Sequence, residues 1–258
     1  MGELRAIISA SGFLLFFLLG VIFPFRKNPD GWLSRVLNNV VLTVFNSTIV
    51  YWIGAGFLFE LALQAQSNQW GLFAQTQLLI PVEIVLGLAI QDFVIYWQHR
   101  LFHAIPIFWR FHRVHHTDTH FDTSTSLRFH TFEIFLSLGV KALAVITFGL
   151  PPLSVIGFEI ILNFSAMFNH GNFSLGKFDK WLRLLVVTPD MHRVHHTSVL
   201  KEINSNYGFC LSIWDRIFSS HLNSCEGIKT KNLGLDSFRS ARDQRVDQLI
   251  MQPFVSKS

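Results

Sequence analysis

Residues 92 to 116 read DFVIYWQHRLFHAIPIFWRFHRVHH, an apolar run that ends among five histidines. Two spacings order them: H-x-x-x-H at His99 and His103, and H-x-x-H-H at His112, His115 and His116. Residues three and four apart share one face of a helix, so each spacing gathers imidazoles. A polar cluster where apolar helices end is costly unless something binds there. The second spacing returns at His192, His195 and His196, inside a string, HRVHHT, present at 112–117 and again at 192–197. With His170 these make nine of the chain's twelve histidines.

Outward from this stretch the chain reads as a membrane protein. Of its 258 residues 50% are apolar and 15% charged, against about 25% charged in a typical soluble domain. The apolar residues collect in five segments, roughly 4–23, 40–63, 78–97, 132–150 and 153–169, the last two joined by Gly149, Leu150, Pro151 and Pro152. Each is near the length of a spanning helix, whereas a barrel would show short alternating strands. The expected fold is therefore all-α, a polytopic membrane helical bundle with a cytoplasmic histidine-rich helical cap. The first segment is longer than a signal core, is preceded by Glu3 and Arg5, and is followed by Phe25, Arg26 and Lys27 instead of small residues, so it reads as a retained span.

Loop charges orient the spans. Arg26, Lys27 and Arg35 follow the first, and Arg100, Arg110, Arg113 and Arg128 follow the third, while 64–77 and the Gly-Leu-Pro-Pro turn carry no charge. By the cytoplasmic excess of Lys and Arg, all three histidine groups fall on the cytoplasmic side. The net charge of +4 suits loops beside anionic headgroups, and no basic block suggests nucleic acid. Cys210 and Cys225 are too few and too isolated for a disulfide scaffold or a thiolate site. Asn46, although it begins an N-x-S/T string, falls inside the second span, where glycosylation is not expected.

After residue 170 the chain turns polar. Segments 178–187 and 209–218 read as amphipathic helices against the membrane face, with Trp181 and Trp214 at headgroup level. The tail 226–258 reads as a short helix near 236–250 and a loose end. Arg100, Arg113, Arg193 and Arg216 suit headgroups, an acidic donor or a snorkelling role. Gly139 with Gly149, or Gly54 with Gly56, serve packing or turns.

Imidazole binds iron, zinc or copper, and helices can build such a site between them. Eight clustered histidines exceed what one ion accepts, so two nearby ions are the natural solution. Between His99 and His103 lie Arg100, Leu101 and Phe102, so no glutamate stands where a zinc peptidase needs its base. His120 and His221, outside the groups, read as ordinary hydrogen-bonded residues.

The strings D-x-x-x-Y-W-x-H-R-x-x-H at 92–103, H-R-V-H-H at 112–116, R-F-H-T-F-E at 128–133, N-H-G-N at 169–172, P-D-M-H-R-V-H-H at 189–196, and N-Y-G with W-D-R-x-F at 206–218 together resemble the fatty acid hydroxylase and sterol desaturase superfamily of membrane-bound di-iron oxygenases. The resemblance implies two iron ions, for which zinc could substitute in a purified sample, dioxygen as cosubstrate, and a separate reductase, ferredoxin or cytochrome as electron donor. It implies a lipid or sterol-like substrate in the bilayer, hydroxylated at a C–H bond, with desaturation as the alternative. A membrane metal-binding or transport protein is a third reading. That reading needs ionisable residues along the spans, where only scattered acids such as Glu60, Glu83 and Glu159 occur.

Carried over by the resemblance, the ligands are His99, His103, His112, His115, His116, His170, His192, His195 and His196. Some members have a further histidine four positions after the equivalent of His170; here that residue is Ser174, and His130 is a candidate replacement or an orienting residue. Asp92, Asn169 and Asp190 are candidates to accept from the ligands' other ring nitrogens, with helix capping or interhelical contact as their plainer role; Asp122 and Glu133 are similarly placed. Residues 1–77 are expected to be N-terminal membrane helices and 78–258 the catalytic region with its cap. Neither a cytochrome b5-like domain nor a G-x-G-x-x-G signature is read, so electrons are expected from outside. The expected location is the bacterial inner membrane or the endoplasmic reticulum.

Overall fold

The computed structural model describes residues 2–54, 56–76, 78–223 and 227–256; Cys225 lies outside them. Among these residues twelve α-helices follow one another: α1 (Gly2–Ile22), α2 (Trp32–Gly54), α3 (Phe57–Ser67), α4 (Ile80–Ala104), α5 (Pro106–His116), α6 (Thr131–Phe148), α7 (Pro152–Asn169), α8 (Asp179–Leu182), α9 (Pro189–His195), α10 (Leu200–Ile203), α11 (Ile213–Ile217) and α12 (Val246–Met251). Among the described residues no strand forms beyond the isolated bridges Val186 with Leu211 and Thr197 with Leu233. Four helical stretches, Trp32–Ser67, Ile80–Ala104, Thr131–Phe148 and Pro152–Asn169, are long and apolar enough to cross a membrane, and Ala6–Ile22 is a shorter apolar helix. The molecule is the all-helical membrane bundle that the composition implies.

Prolines punctuate it. Pro106 sets Ile105 extended (φ −99°, ψ 117°), which ends α4 and lets α5 start in a new direction. Pro152 stands in the first turn of α7, where its missing N–H costs nothing. The second expected segment differs from the reading at 40–63. α2 starts earlier, at Trp32, and breaks where Gly54 (φ 133°) and Gly56 (φ 96°) turn the chain into α3. Polar Asn38 and Asn39 hide the start of this helix from a hydropathy reading, yet they bond inward, Asn38 Oδ1 accepting from Val246 N at 3.0 Å and Asn39 Nδ2 donating to Ser124 Oγ at 3.1 Å; further along, Asn46 Nδ2 donates to Phe129 O at 2.8 Å and its Oδ1 accepts from Thr131 at 2.6 Å. Glycine is also required at the opposite end, where Gly71 (φ 81°) and Gly149 (φ 67°) touch so closely that a Cβ on either would lie 2.1 or 2.2 Å from the other strand's backbone. Gly139 meets nothing within 4 Å; helix packing uses other glycines, among them Gly87 against Ser154 of α7 and Gly12 against Phe164 of α7.

Buried Leu58, Ala62, Ala65, Ala144, Val145 and Val155 form the core at that end, while Leu14, Val44, Val85, Leu143 and Ile161 face outward. At the histidine end the segments after α1, α5 and α7 meet: Phe25 N donates to Asn172 O at 2.8 Å, and Trp32 Nε1, at the start of α2, to Asp122 at 2.7 Å. The expected helices at 178–187 and 209–218 shrink to α8 and α11, because the backbone between them pairs across instead, Val187 N donating to Cys210 O at 3.0 Å and Ser212 N to Leu185 O at 3.1 Å. Trp181 is exposed as expected, but Trp214 turns inward and donates to Asp92. Between Gly227 and Val255 the tail is anchored and not loose. Gln244 and Gln252 are buried, Arg113 donates to Gln252 O and Val255 O, and the expected helix near 236–250 is the shorter α12.

Candidate metal centre

The nine histidines named from the sequence, eight by their spacing and His170 beside them, come together in two largely buried groups: His99, His103, His112, His116 and His195, and beside them His115, His170, His192 and His196. Within each group one ligand atom per residue lies within 4.8 Å of all the others. α4 supplies both its imidazoles to the first group, and the end of α7 supplies His170 to the second. Each HRVHH string is split. From α5, His112 and His116 join the first group and His115 the second; from α9, His192 and His196 join the second and His195 the first. Residues four apart stay on one stripe while the residue between them lies about 100° round the helix, so one turn reaches two sites. The repeated string thus makes each helix end bridge both groups, where the spacing alone had suggested one shared set per turn.

Backbone carbonyls fix the rings. Tyr207 O accepts from His99 Nδ1 at 2.8 Å, Ser205 O from His195 Nδ1 at 2.7 Å and Ala166 O from His170 Nδ1 at 2.7 Å, while Glu133 Oε1 accepts from His112 Nδ1 at 2.6 Å. Because these oxygens only accept, Nδ1 carries the proton and Nε2 presents a lone pair inward. Those lone pairs face one another: His99 and His195 Nε2 are 3.0 Å apart, His115 and His170 3.1 Å, His170 and His192 3.1 Å, and His112 and His116 3.2 Å. Burial holds His195 down at about 3 and His170 at about 4, and likewise pushes His115, His116, His192 and His196 well below the usual imidazole range. These six are neutral donors at physiological pH. Further ring nitrogens of His103, His115, His116, His192 and His196 are buried without a partner. Converging neutral nitrogen lone pairs fit transition-metal cations such as iron or zinc.

Of the other candidates, none of Asp92, Asn169 and Asp190 touches an imidazole. Asp92 accepts from Cys210 N, Leu211 N and Trp214 Nε1; Asn169 donates to Phe209 O; Asp190 binds Arg193 and Ser174. His130 stands outside both groups, its Nδ1 accepting from Phe132 N as the cap of α6 and its Nε2 bonded to Ile250 O at 3.1 Å. Ser174 faces Asp190 instead of the centre, and the four-imidazole group converges without it. The imidazole acceptors are Glu133, among the candidates, and backbone carbonyls of α7 and of the loop carrying Ser205 and Tyr207. That loop is held by Asp215 of the W-D-R string, which accepts from Tyr207 N at 2.7 Å and Gly208 N at 2.8 Å. Carbonyl roles leave no residue-type signal in a sequence.

Arg193 is fully buried and donates to Gly171 O, Phe173 O and Asp190, clamping the turn after His170, and Arg100, Arg113 and Arg216 also take internal carbonyl partners. His120 and His221 bond to Asn28 and Asn223 as plain polar residues.

A cavity of about 640 Å³ opens among α2, α4, α6 and α7 and reaches His99 and His112. Ile95, Phe102, Leu127, Phe129, Leu138 and Leu162 supply much of its apolar wall.

Fold and centre together define an all-helical membrane protein with paired imidazole groups at the end of an apolar cavity. The fatty acid hydroxylase family matches residues 84–220, more than half of the sequence, and the chain belongs to that family. It is similar to the ornithine lipid hydroxylase OlsE of Rhizobium tropici, 29% identical over 209 residues that cover 78% of this chain and 62% of that protein. It is also similar to the alkylglycerol monooxygenase of Homo sapiens, 34% identical over 130 residues, 50% of this chain and 28% of that one. A very-long-chain aldehyde decarbonylase, GL1-4 of Oryza sativa subsp. indica, is 25% identical over 154 residues, 55% of this chain and 24% of its own length. The chain thus spans less than two thirds of these relatives. No solved structure matches it.

Proposed function

We propose that this chain is an oxidoreductase that uses dioxygen to hydroxylate a C–H bond of a membrane lipid, with one iron ion in each imidazole group. The observation that carries this reading is the cavity, whose walls belong to membrane helices and whose inner end is His99 and His112. An alkyl chain offers no polar handle, so the shape of the walls must place its reacting carbon. Bound there, the metals would supply dioxygen activation with electrons from a separate reductase, ferredoxin or cytochrome. Zinc fits the same nitrogens but has no redox chemistry of its own. The nine histidines are the proposed ligands. The residues of this chain do the rest: carbonyls of Ala166, Ser205 and Tyr207 and the Glu133 carboxylate hold four rings in one tautomer, and the stacked rings of His115 and Phe129, with centroids 4.6 Å apart, help to close the centre to water.

Relatives named as a lipid hydroxylase and a monooxygenase support the reaction class. The excess of Lys and Arg in the loops at the histidine end supports a cytoplasmic active site, in a bacterial inner membrane or the endoplasmic reticulum. We take 78–258 as the catalytic region and 1–77 as membrane helices that also line the cavity through Thr43, Asn46 and Val50. The test is mass spectrometry of lipids from cells making the intact protein or His195→Ala. A product heavier by one oxygen, absent with the variant, is expected. A product lighter by two hydrogens would replace hydroxylation with desaturation, and purified protein without iron would overturn the reading.

A further inference from the structure

A second recess, of about 550 Å³ and open to the surface, lies in the cap, and none of its lining residues belongs to an imidazole group or to the first cavity. Lys177, Lys180, Arg183 and Arg216 line it, with Asp179 as the one acid among the lining residues. Asp179 is already engaged, accepting from Thr188 Oγ1 at 2.5 Å and pairing with Arg183. The Arg216 guanidinium donates to Ser212 O and Arg183 O, carbonyls that leave its charge in place. Among the described residues neither Lys177 nor Lys180 pairs with a carboxylate, and Lys180 lies over the Trp181 ring, 5.0 Å from its centroid. Arg183 Nε is buried with no acceptor for its proton. Positive charge in excess and a donor without a partner are what an anion needs.

Contacts place this recess beside a membrane span. Asp92, about two turns before His99 on the apolar helix α4, accepts from Cys210 N, Leu211 N and Trp214 Nε1. α11 continues along the same flank: the Trp214 and Phe93 rings have centroids 5.2 Å apart, and Arg100 donates to Phe218 O at 3.2 Å. Residues 183–187 are tied to this segment in turn, Ser212 N donating to Leu185 O at 3.1 Å and Arg216 to Arg183 O at 2.8 Å. Around the recess the described protein leaves large apolar side chains uncovered: Phe178, Trp181, Leu184 and Leu185 on one segment, and Ile213 and Ile217 a turn apart on α11. A solvated surface seldom gathers so many. Interleaved with Lys and Arg beside a span, they suit the boundary between acyl chains and headgroups, where Trp settles and basic side chains reach phosphates. An acidic protein would match the charge but not the position, because Leu211 and Trp214 fasten the segment to Asp92 within α4.

We infer that the recess is a peripheral lipid site, which takes the phosphate of an anionic phospholipid in the leaflet at the histidine end while the acyl chains lie against Leu184, Leu185, Ile213 and Ile217. Phosphate oxygens only accept and the lining cations only donate, so the two sets match. Every phospholipid has a phosphate; the net charge on the headgroup is what Lys177 and Lys180 select. The site is separate from the proposed lipid-oxidising cavity and holds whether or not that reading does. Asp215 of α11 also holds the loop whose Tyr207 carbonyl bonds His99, so a lipid seated here braces that segment without entering the centre.

The test reconstitutes the full-length protein in nanodiscs of equal parts phosphatidylcholine and phosphatidylglycerol, with a trace of one or the other carrying a diazirine on its acyl chain close to the headgroup. Crosslinked peptides are mapped by mass spectrometry. The phosphatidylglycerol probe is expected to label 177–185 and 212–217 about tenfold more than the phosphatidylcholine probe. The paired substitution Lys177→Gln with Lys180→Gln should abolish that preference, and Lys177→Arg with Lys180→Arg should keep it; both lysines are exposed, so the fold does not depend on them. Equal labelling by the two probes in the wild type, a preference that survives the glutamine pair, or no labelling of 177–185 at all overturns the site, the last leaving the recess to an acidic protein. Inorganic phosphate, compared with chloride at the same ionic strength, should not displace the probe. Displacement would make this a site for free phosphate and overturn the lipid assignment.

Discussion

Glu133 Oε1 accepts from His112 Nδ1 at 2.6 Å, and both side chains are buried. Glu133 stands on the first turn of α6 and lines the cavity, so one carboxylate orients an imidazole beside the space proposed for substrate. Its Oε2 is buried without a partner. Glu133→Gln keeps the shape but removes the charge that strengthens the bond. Acceptors of this kind cost about 10–100-fold in metal affinity when mutated. Titration of iron against a chelator should show a loss of that size, and unchanged affinity would deny Glu133 its orienting role.

His130 separates the sequence reading from the folded chain. Its ring caps α6 and bonds Ile250 O, away from both imidazole groups. His130→Ala should therefore keep the full metal content while lowering stability by about 0.5–2 kcal/mol, the range for a lost helix cap. His196→Ala should lose metal from the four-imidazole group. Metal analysis of the two variants side by side checks this, and parallel losses would return His130 to the ligand set.

The contrast shows what the sequence carries. The gathering of the histidines was legible because imidazoles at i, i+3 and i+4 on an apolar background have few other uses, and all nine converge. Which rings join was not: periodicity turns His115 away from the stripe of His112 and His116, but that it meets His170, His192 and His196 is decided by how α5, α7 and α9 come together. The spans at 78–97, 132–150 and 153–169 were legible as unbroken apolar runs. The start of α2 was not, because Asn38 and Asn39 look solvent-facing until Val246 N and Ser124 are seen to meet them. The tail looked loose for the same reason: its polar Gln244 and Gln252 find partners in Thr117, over a hundred residues away.

Asp92 clasps the cap to α4. It accepts from Cys210 N at 3.2 Å, Leu211 N at 3.1 Å and Trp214 Nε1 at 2.8 Å. Asp92→Ala leaves these donors without their acceptor, at about 1–3 kcal/mol for each that stays buried. Hydrogen exchange should accelerate first in 207–214, the segment whose Tyr207 carbonyl holds His99. Exchange that rises equally everywhere would mean global unfolding instead of a loosened cap.

Arg35 Nη1 reaches Asp118 at 2.6 Å, Arg35 also pairs with Asp122, and all three are buried beside Arg128. Burial pushes the Asp118 carboxyl up, but Arg35 and Arg128, helped by Thr125, outweigh it and hold the group below its ordinary range. A depressed folded value stabilises above the unfolded value of about 3.9 and is lost as pH falls through the folded value. Wild-type stability should therefore show no Asp118-linked slope from neutrality down to about pH 4, then drop. Arg35→Leu strands two buried carboxylates and should cost about 3–5 kcal/mol at neutral pH. Less of the Asp118 contribution then remains to be lost, so the fall below about pH 4 should be shallower in the variant. Unfolding of both proteins in detergent across this range checks the sign: a steeper acid loss in Arg35→Leu would show that Arg35 is not what holds Asp118 ionised.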